Sequence, residues 1–430
     1  MRKSLTTRAI LRILVACCLL GLTVLGLWQV GAHFGAEYHL RQARQALTTQ
    51  RYTRALEELT KALRFRPHSA EIHLLAGRAA RQAGNHSAAE DHLQACRALQ
   101  KGVSEELQLE EYLLRAQKGE VEAVYRYLAP YLYQEGPLTP LVLESLSHAY
   151  LLIYRFDLAE KCLLRWLQLE PENIEALNLR GVYYTLKLND DLAIADLRHV
   201  LERDPERTAA RIVLAQTLKQ RYRYAEAAKE YEIVLQQDAS SFAARVGLAS
   251  CYVDDSKWEA ARACLEPLPR EQSEHADVLY VRGRIAEGEG RFDEAIPLLQ
   301  ATLAANPSES SACYHLVQCY QRQGDEVSAG KYQEQFDRIE KDQKRLVALT
   351  NEAKDALPSN PALCCELGEV CLRLGIKDRG VYWLNAALRL DPQYWPAHEQ
   401  LLHFYEGLGP NAEKEASFHR QQLASRPTGP

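Results

Sequence analysis

The stretch "HEQLLHF", His398 to Phe404, holds the residue types of the metal-binding helix motif His-Glu-x-x-His, in which two histidines one turn apart share an ion. Here His398 and His403 are five apart, so a regular helix rotates the second by roughly 140° from the first. One helix cannot aim both at one metal, and the pair reads as surface or boundary histidines. Cys313, His315 and Cys319, and again Cys364, Cys365 and Cys371, cluster along the chain without the Cys-x-x-Cys spacing that brings two thiolates onto one ion. They read as buried, inert thiols at packing positions. Asp190–Asp191 and Asp254–Asp255 are paired carboxylates in sequence, each at a turn between helices where Asp caps. No Gly-rich phosphate loop follows a strand and no Gly-x-Ser-x-Gly elbow is present. Neither catalysis nor a cofactor or metal is expected.

The elements that carry these residues are foreshadowed by composition. Of 430 residues, 47% are hydrophobic, with 22 glycines and 17 prolines, an ordered and helical profile. The formal net charge is -5, but the first 36 residues hold Arg2, Lys3, Arg8 and Arg12 and no acid, so the remainder carries -9. A body this acidic argues against nucleic acid as a partner. Two of the 11 cysteines lie in an apolar N-terminal segment, and nine scattered ones do not suggest a disulfide framework.

Alanines at 159, 193, 227, 261, 295 and 329 recur every 34 residues, and Ala123, Ala89 and Ala55 extend the series with one two-residue slip. Twelve residues before most of them stands another small residue: Ala43, Gly77, Ser147, Gly181, Ala215, Ala249 or Gly283. Twelve after, Pro67, Pro171, Pro205 and Pro307 end a helix and open the next unit. Close approach of two helices needs small side chains, so each period predicts an antiparallel helical hairpin. Tyr150, Tyr184, Tyr252 and Tyr320, with Tyr52, Phe156, Tyr224, Trp258 and Phe292, fill the intervening core positions.

This pattern resembles the tetratricopeptide repeat family. The best match is Ile174 to Pro205, where Leu177, Gly181, Tyr184, Ala193, Leu197 and Pro205 stand at signature positions and Asp190 replaces a usual aromatic. The resemblance implies an all-α, right-handed superhelical solenoid of about ten helix-turn-helix repeats. It also implies that positions 2, 5, 9, 12 and 13 of each first helix line a concave wall. Those are Arg78, Arg81 and Gln82, then Asn178, then Gln216, Lys219 and Gln220. Farther on come Tyr280 and Arg284, and Tyr314, Gln318, Gln321 and Arg322. Such side chains suit proteins or extended peptides as partners. The chaperone-adaptor clamp is absent, since Leu40 and Arg44, then Leu74 and Arg78, occupy its positions.

Residues 13–36 form 24 uncharged positions, enough to cross a bilayer. "LVAC", ending at Cys17, resembles a lipobox, but only four residues separate Arg12 from Cys17, and the apolar run continues past it. A cleaved signal remains open, although the run exceeds a usual signal core. The reading carried forward is a retained transmembrane anchor with a cytoplasmic basic tail at 1–12, placing the repeats outside the cytoplasm, on the periplasmic side in a bacterium. The repeat array is expected over 37–343 with a degenerate unit at 104–139, where Pro130 and Pro137 interrupt a helix. An extended helix and linker follow at 344–360, then repeats and a cap at 361–420 and a disordered tail at 421–430. The function expected is a non-catalytic membrane scaffold, or else the regulatory subunit of a dedicated membrane enzyme.

Overall fold

Each hairpin is built on a small residue that receives a large one. In the computed structural model a Cβ placed on Gly77 would lie 2.7 Å from Leu93, on Gly181 2.8 Å from Leu197, on Gly283 2.9 Å from Leu299, and on Gly368 2.6 Å from Leu384. The leucine sixteen residues on thus occupies the notch that the glycine leaves, and all four leucines are buried. Burying one such side chain contributes about 1.5–3 kcal/mol.

The structure describes residues 31, 33–100, 102, 104–153, 155–356 and 360–426, and their regular structure is helical, without strands. The helices are α1 (33–48), α2 (Tyr52–Phe65), α3 (Ala70–Gln82), α4 (His86–Leu99), α5 (Glu105–Gln117), α6 (Val121–Tyr133), α7 (Thr139–Leu152) and α8 (Phe156–Leu169). They continue as α9 (Ile174–Leu186), α10 (Asp190–Arg203), α11 (Thr208–Gln220), α12 (Tyr224–Gln237), α13 (Phe242–Asp254), α14 (Trp258–Leu265), α15 (Arg270–Ser273) and α16 (Ala276–Gly288). Last come α17 (Phe292–Ala305), α18 (Ser310–Gln323), α19 (Glu326–Ala356), α20 (Pro361–Arg373), α21 (Lys377–Leu390), α22 (Trp395–Gly407) and α23 (Glu413–Ala424). They fall into two compact units, Met1–Leu152 with Lys161–Glu175, and Ile153–Glu160 with Ala176–Pro430.

Turns within the hairpins need one residue in the left-handed region. Gly84, Gly290 and Gly324 supply it without strain, whereas Gln50, Leu188, Tyr222 and Ser256 adopt it at equivalent places with φ of 57°, 55°, 59° and 57°. Helix starts are capped at Ser69, Asn85, Ser104 and Asn360, whose side chains accept backbone N–H bonds. Between hairpins a recurrent clip reaches back six residues to the carbonyl of a proline two positions past the preceding helix. His73 Nε2 donates to Pro67 O at 3.1 Å, Arg211 Nη2 to Pro205 O at 2.9 Å, and His398 Nε2 to Pro392 O at 3.1 Å.

Several expectations change. Pro130 does not interrupt α6 but lies inside it, and Pro137 falls in the connection to α7. The carbonyl that would have received the missing N–H belongs to Arg126, on the exposed side of α6 where water can serve it. Residues 421–424, expected in a disordered tail, belong to α23, which runs to Ala424; residues 427–430 lie outside the described residues. Residues 33–36, the end of the expected anchor, form the first turn of α1, with Ala36 buried in the repeats. The rest of the 13–36 segment, apart from residue 31, and the 1–12 tail lie outside the described residues. Among the described residues no helix is long and apolar enough to cross a membrane.

Candidate interaction surfaces

In the second unit the first helices of successive hairpins, α11, α13, α16 and α18, hand charged groups to one another. Lys219 Nζ lies 3.5 Å from Asp254 Oδ2, and Arg284 Nη2 lies 3.4 Å from Asp254 Oδ1. Arg284 also donates to Tyr280 Oη at 3.3 Å and stands 3.8 Å from Glu287 Oε2. Glu287 Oε2 is 2.8 Å from His315 Nδ1. The Tyr280 and His315 rings are 6.0 Å apart, His315 and Tyr314 5.1 Å, and Tyr314 reaches Phe336 of α19 at 6.3 Å. One continuous polar and aromatic strip therefore crosses five helices. Gln216 and Arg322 are exposed, Gln318 is half-buried, and Tyr314 leaves 49% of its surface to solvent. Asn178, on α9, is half-buried and its side-chain carbonyl has no hydrogen-bond donor.

The first unit contradicts one expectation outright. Arg81, predicted on an open wall, is 1% exposed. Its Nε donates to Glu110 Oε2 at 2.9 Å and its Nη1 to Ser145 Oγ at 2.7 Å, while Arg78 bonds the other Glu110 oxygen. Gln82 donates to Glu144 Oε2 at 2.8 Å. The side chains of α5 and α7 close over α3, so the inner face of this unit is a buried ionic network instead of a free surface. Burial alone would push the Glu110 carboxyl up, but Arg81 and Arg78 overcome it and hold it below the usual carboxylate range. Glu144 is pushed up to about 7, chiefly by burial, with Glu175 and Glu110 adding to the rise and Arg81 and the Gln82 bond opposing it.

Sequence reasoning passed over Glu110, Glu144, Asp254, Glu287 and His315. Asp254 had been assigned to turn capping and His315 to a cysteine cluster; both instead face the strip. The signal available was spacing: 219, 254, 284 and 315 are separated by about one repeat each. His398 also differs from the surface or boundary residue expected. It is buried against His419 of α23, Nδ1 to Nδ1 2.8 Å, while His403 is exposed on the other side of α22. Among the described residues no group of three or more His, Cys, Asp and Glu side chains could hold a metal. Of the nine described cysteines eight are buried.

Models of the tetratricopeptide repeat match residues 40–102, 218–285 and 286–350. Residues 40–102 and 218–350 carry tetratricopeptide repeats. No curated protein sequence matches it. Solved structures similar to it include a tetratricopeptide repeat protein from Parabacteroides merdae, 17% identical, covering 66% of this chain and 98% of that one with a TM-score of 0.37. PilW, a type IV pilus biogenesis factor, is 16% identical over 46% of this chain and 93% of its own, TM-score 0.41. MamA from Desulfovibrio magneticus is 16% identical over 40% and 96%, TM-score 0.33. The matched repeats are built of helices throughout.

Proposed function

We propose that this chain is a non-catalytic scaffold, tethered to a membrane through residues 13–36, that holds proteins or extended peptides against the inner helix faces of its repeats. The tail at 1–12 stays in the cytoplasm and the repeats, on a right-handed superhelical path, work on the far side. The observation that carries the binding reading is the α11–α19 strip. Its charges are matched among themselves, yet Tyr314, Gln216, Gln318 and Arg322 offer flat apolar area and hydrogen-bonding groups to solvent. Nucleic acid does not suit a body of this acidity.

The test uses extended peptides selected from an unbiased display library on the purified chain. Tyr314→Ala with Arg322→Glu removes an aromatic contact and reverses an exposed charge, and should weaken binding tenfold or more while leaving the helical circular dichroism unchanged. Unaltered affinity would sink the inner-face reading. A compartment-sensitive reporter fused after residue 430 checks topology, and a cytoplasmic signal would overturn the orientation.

A further inference from the structure

The end of the first hairpin that follows the apolar segment in sequence carries three exposed aromatics. Phe34 and Tyr38, four residues apart on α1, are 67% and 60% exposed, and Phe65 at the end of α2 is 41% exposed. Phe65 is held in place: a Cβ on Gly35 would lie 3.0 Å from its ring, and the ring stacks on His39 with centroids 6.0 Å apart and planes 18° apart. Basic residues lie near these aromatics in sequence. Arg41 and Arg64 are exposed, and Arg66 bonds His33. The neighbouring carboxylate of Glu37 is 3.5 Å from Arg41 Nε, and that of Glu58 is shared by His39 and Lys61. Large aromatics in water at this density are costly, whereas the headgroup layer of a bilayer favours amphipathic rings and flanking arginines.

We infer that this patch is a membrane-resting foot: Phe34, Tyr38 and Phe65 insert into the headgroup layer of a phospholipid bilayer, and Arg64 and Arg66 contact lipid phosphates. The inference rests on the anchoring proposed above and adds a defined contact surface to it. Chain length fixes the depth. About 20 residues suffice to cross a hydrocarbon core of about 30 Å, so a crossing that begins at Ile13 reaches the far edge near residue 32. At 1.5 Å per residue, Phe34 and Tyr38 then stand about 3 and 9 Å beyond that edge, against a headgroup layer roughly 5–7 Å deep. Helical side chains lean toward the N-terminus, which carries the Tyr38 ring back toward the bilayer. Phe65, lying on Gly35 and His39, comes to the same level. The repeats would thus be pinned at a fixed height and tilt instead of swinging on a tether.

The test is lipid photo-crosslinking of the full chain in phosphatidylethanolamine–phosphatidylglycerol vesicles, with p-benzoylphenylalanine in place of Trp28, Phe34, Tyr38 or Tyr222, one at a time. Trp28 lies inside the apolar segment and reports anchoring; Tyr222 is 79% exposed on the second unit and reports non-specific capture. Lipid adducts at 28, 34 and 38, at least tenfold above those at 222, are expected. Adducts at 28 with none at 34 or 38 would leave the anchor standing and overturn the foot. No adduct at 28 would overturn both, and adducts at 222 equal to those at 38 would overturn the specific contact.

Discussion

Glu144→Gln should stabilise the first unit in a strictly pH-dependent way. The carboxyl is buried, one oxygen accepts from Gln82, and the other has no partner. Its affinity for a proton is raised from an ordinary 4.5 to about 7. A carboxyl that titrates higher folded than unfolded costs stability as pH rises, because the unfolded chain releases the proton first. The penalty starts near pH 4.5, grows to about pH 7 and then levels off. At about 1.4 kcal/mol per pH unit the full penalty is about 3 kcal/mol, nearly all of it present at pH 8 and under about 1 kcal/mol at pH 5. The amide of glutamine mimics the protonated acid and can still accept from Gln82, so it carries no such penalty.

Hydrogen exchange of the full chain, wild type against variant at each pH, reads the difference directly because intrinsic exchange rates cancel. Amides of α3, α5 and α7 should gain on the order of 100-fold protection at pH 8 and less than about fivefold at pH 5. The helices α16 and α17 serve as an internal control and should not move. An equal protection ratio at both pH values, or a loss at pH 8, would refute the idea that Glu144 sits as a buried carboxyl near neutral titration.

Other consequences follow from the packing. Gly368→Ala should destabilise α20–α21 by about 1–3 kcal/mol, since its Cβ would meet not only Leu384 at 2.6 Å but the immobile carbonyl oxygen of Gly380 at 2.9 Å. Gly283→Ala, facing only leucine side chains, should cost less, and exchange in the two hairpins would rank them; the reverse order would count against the packing argument. His419 is held down to about 4 by burial and then by His398, so the α22–α23 pair should be fully stable above about pH 6.5 and lose up to about 3 kcal/mol as pH falls toward 4. Constant exchange in α22–α23 relative to α16–α17 between pH 7 and 4.5 would exclude this. Burial pushes the Cys162, Cys251, Cys319 and Cys365 thiols up to about 12, so iodoacetamide at pH 8 should label them in urea and scarcely at all in the native chain, read site by site by mass spectrometry.

The hairpins were legible because close helix packing imposes a requirement that sequence must meet: a small residue wherever two backbones approach. Gly77, Gly181 and Gly283 announce it without any knowledge of their neighbours. Turn geometry was only half legible. Gly84, Gly290 and Gly324 mark the left-handed position, but Leu188 and Tyr222 adopt the same conformation with no local sign, because the flanking helices, once packed, dictate the backbone between them. The inner faces were least legible. Position in the repeat says that Arg81 points inward, but whether it meets water or Glu110 depends on a residue 29 positions away in an irregular unit. His398 was misjudged for the same reason: one helix viewed alone cannot show Pro392 and His419 closing on it.

That dependence on neighbours changes how the inner faces should be probed. Lys219, Asp254, Arg284, Glu287 and His315 compensate one another across consecutive repeats, so each is first a link between hairpins. Reversing Arg284 would set a new carboxylate beside Asp254 and Glu287, and any loss of binding would be inseparable from loss of the inter-repeat contact. Tyr314 and Arg322 differ. They share α18 with His315 but are exposed, and their removal leaves the chain of polar contacts from Lys219 to His315 intact. A ligand that binds here must therefore draw its specificity from the side chains left over after the repeats have satisfied each other. A variant that weakens binding while leaving the chain of polar contacts untouched is the one that identifies them.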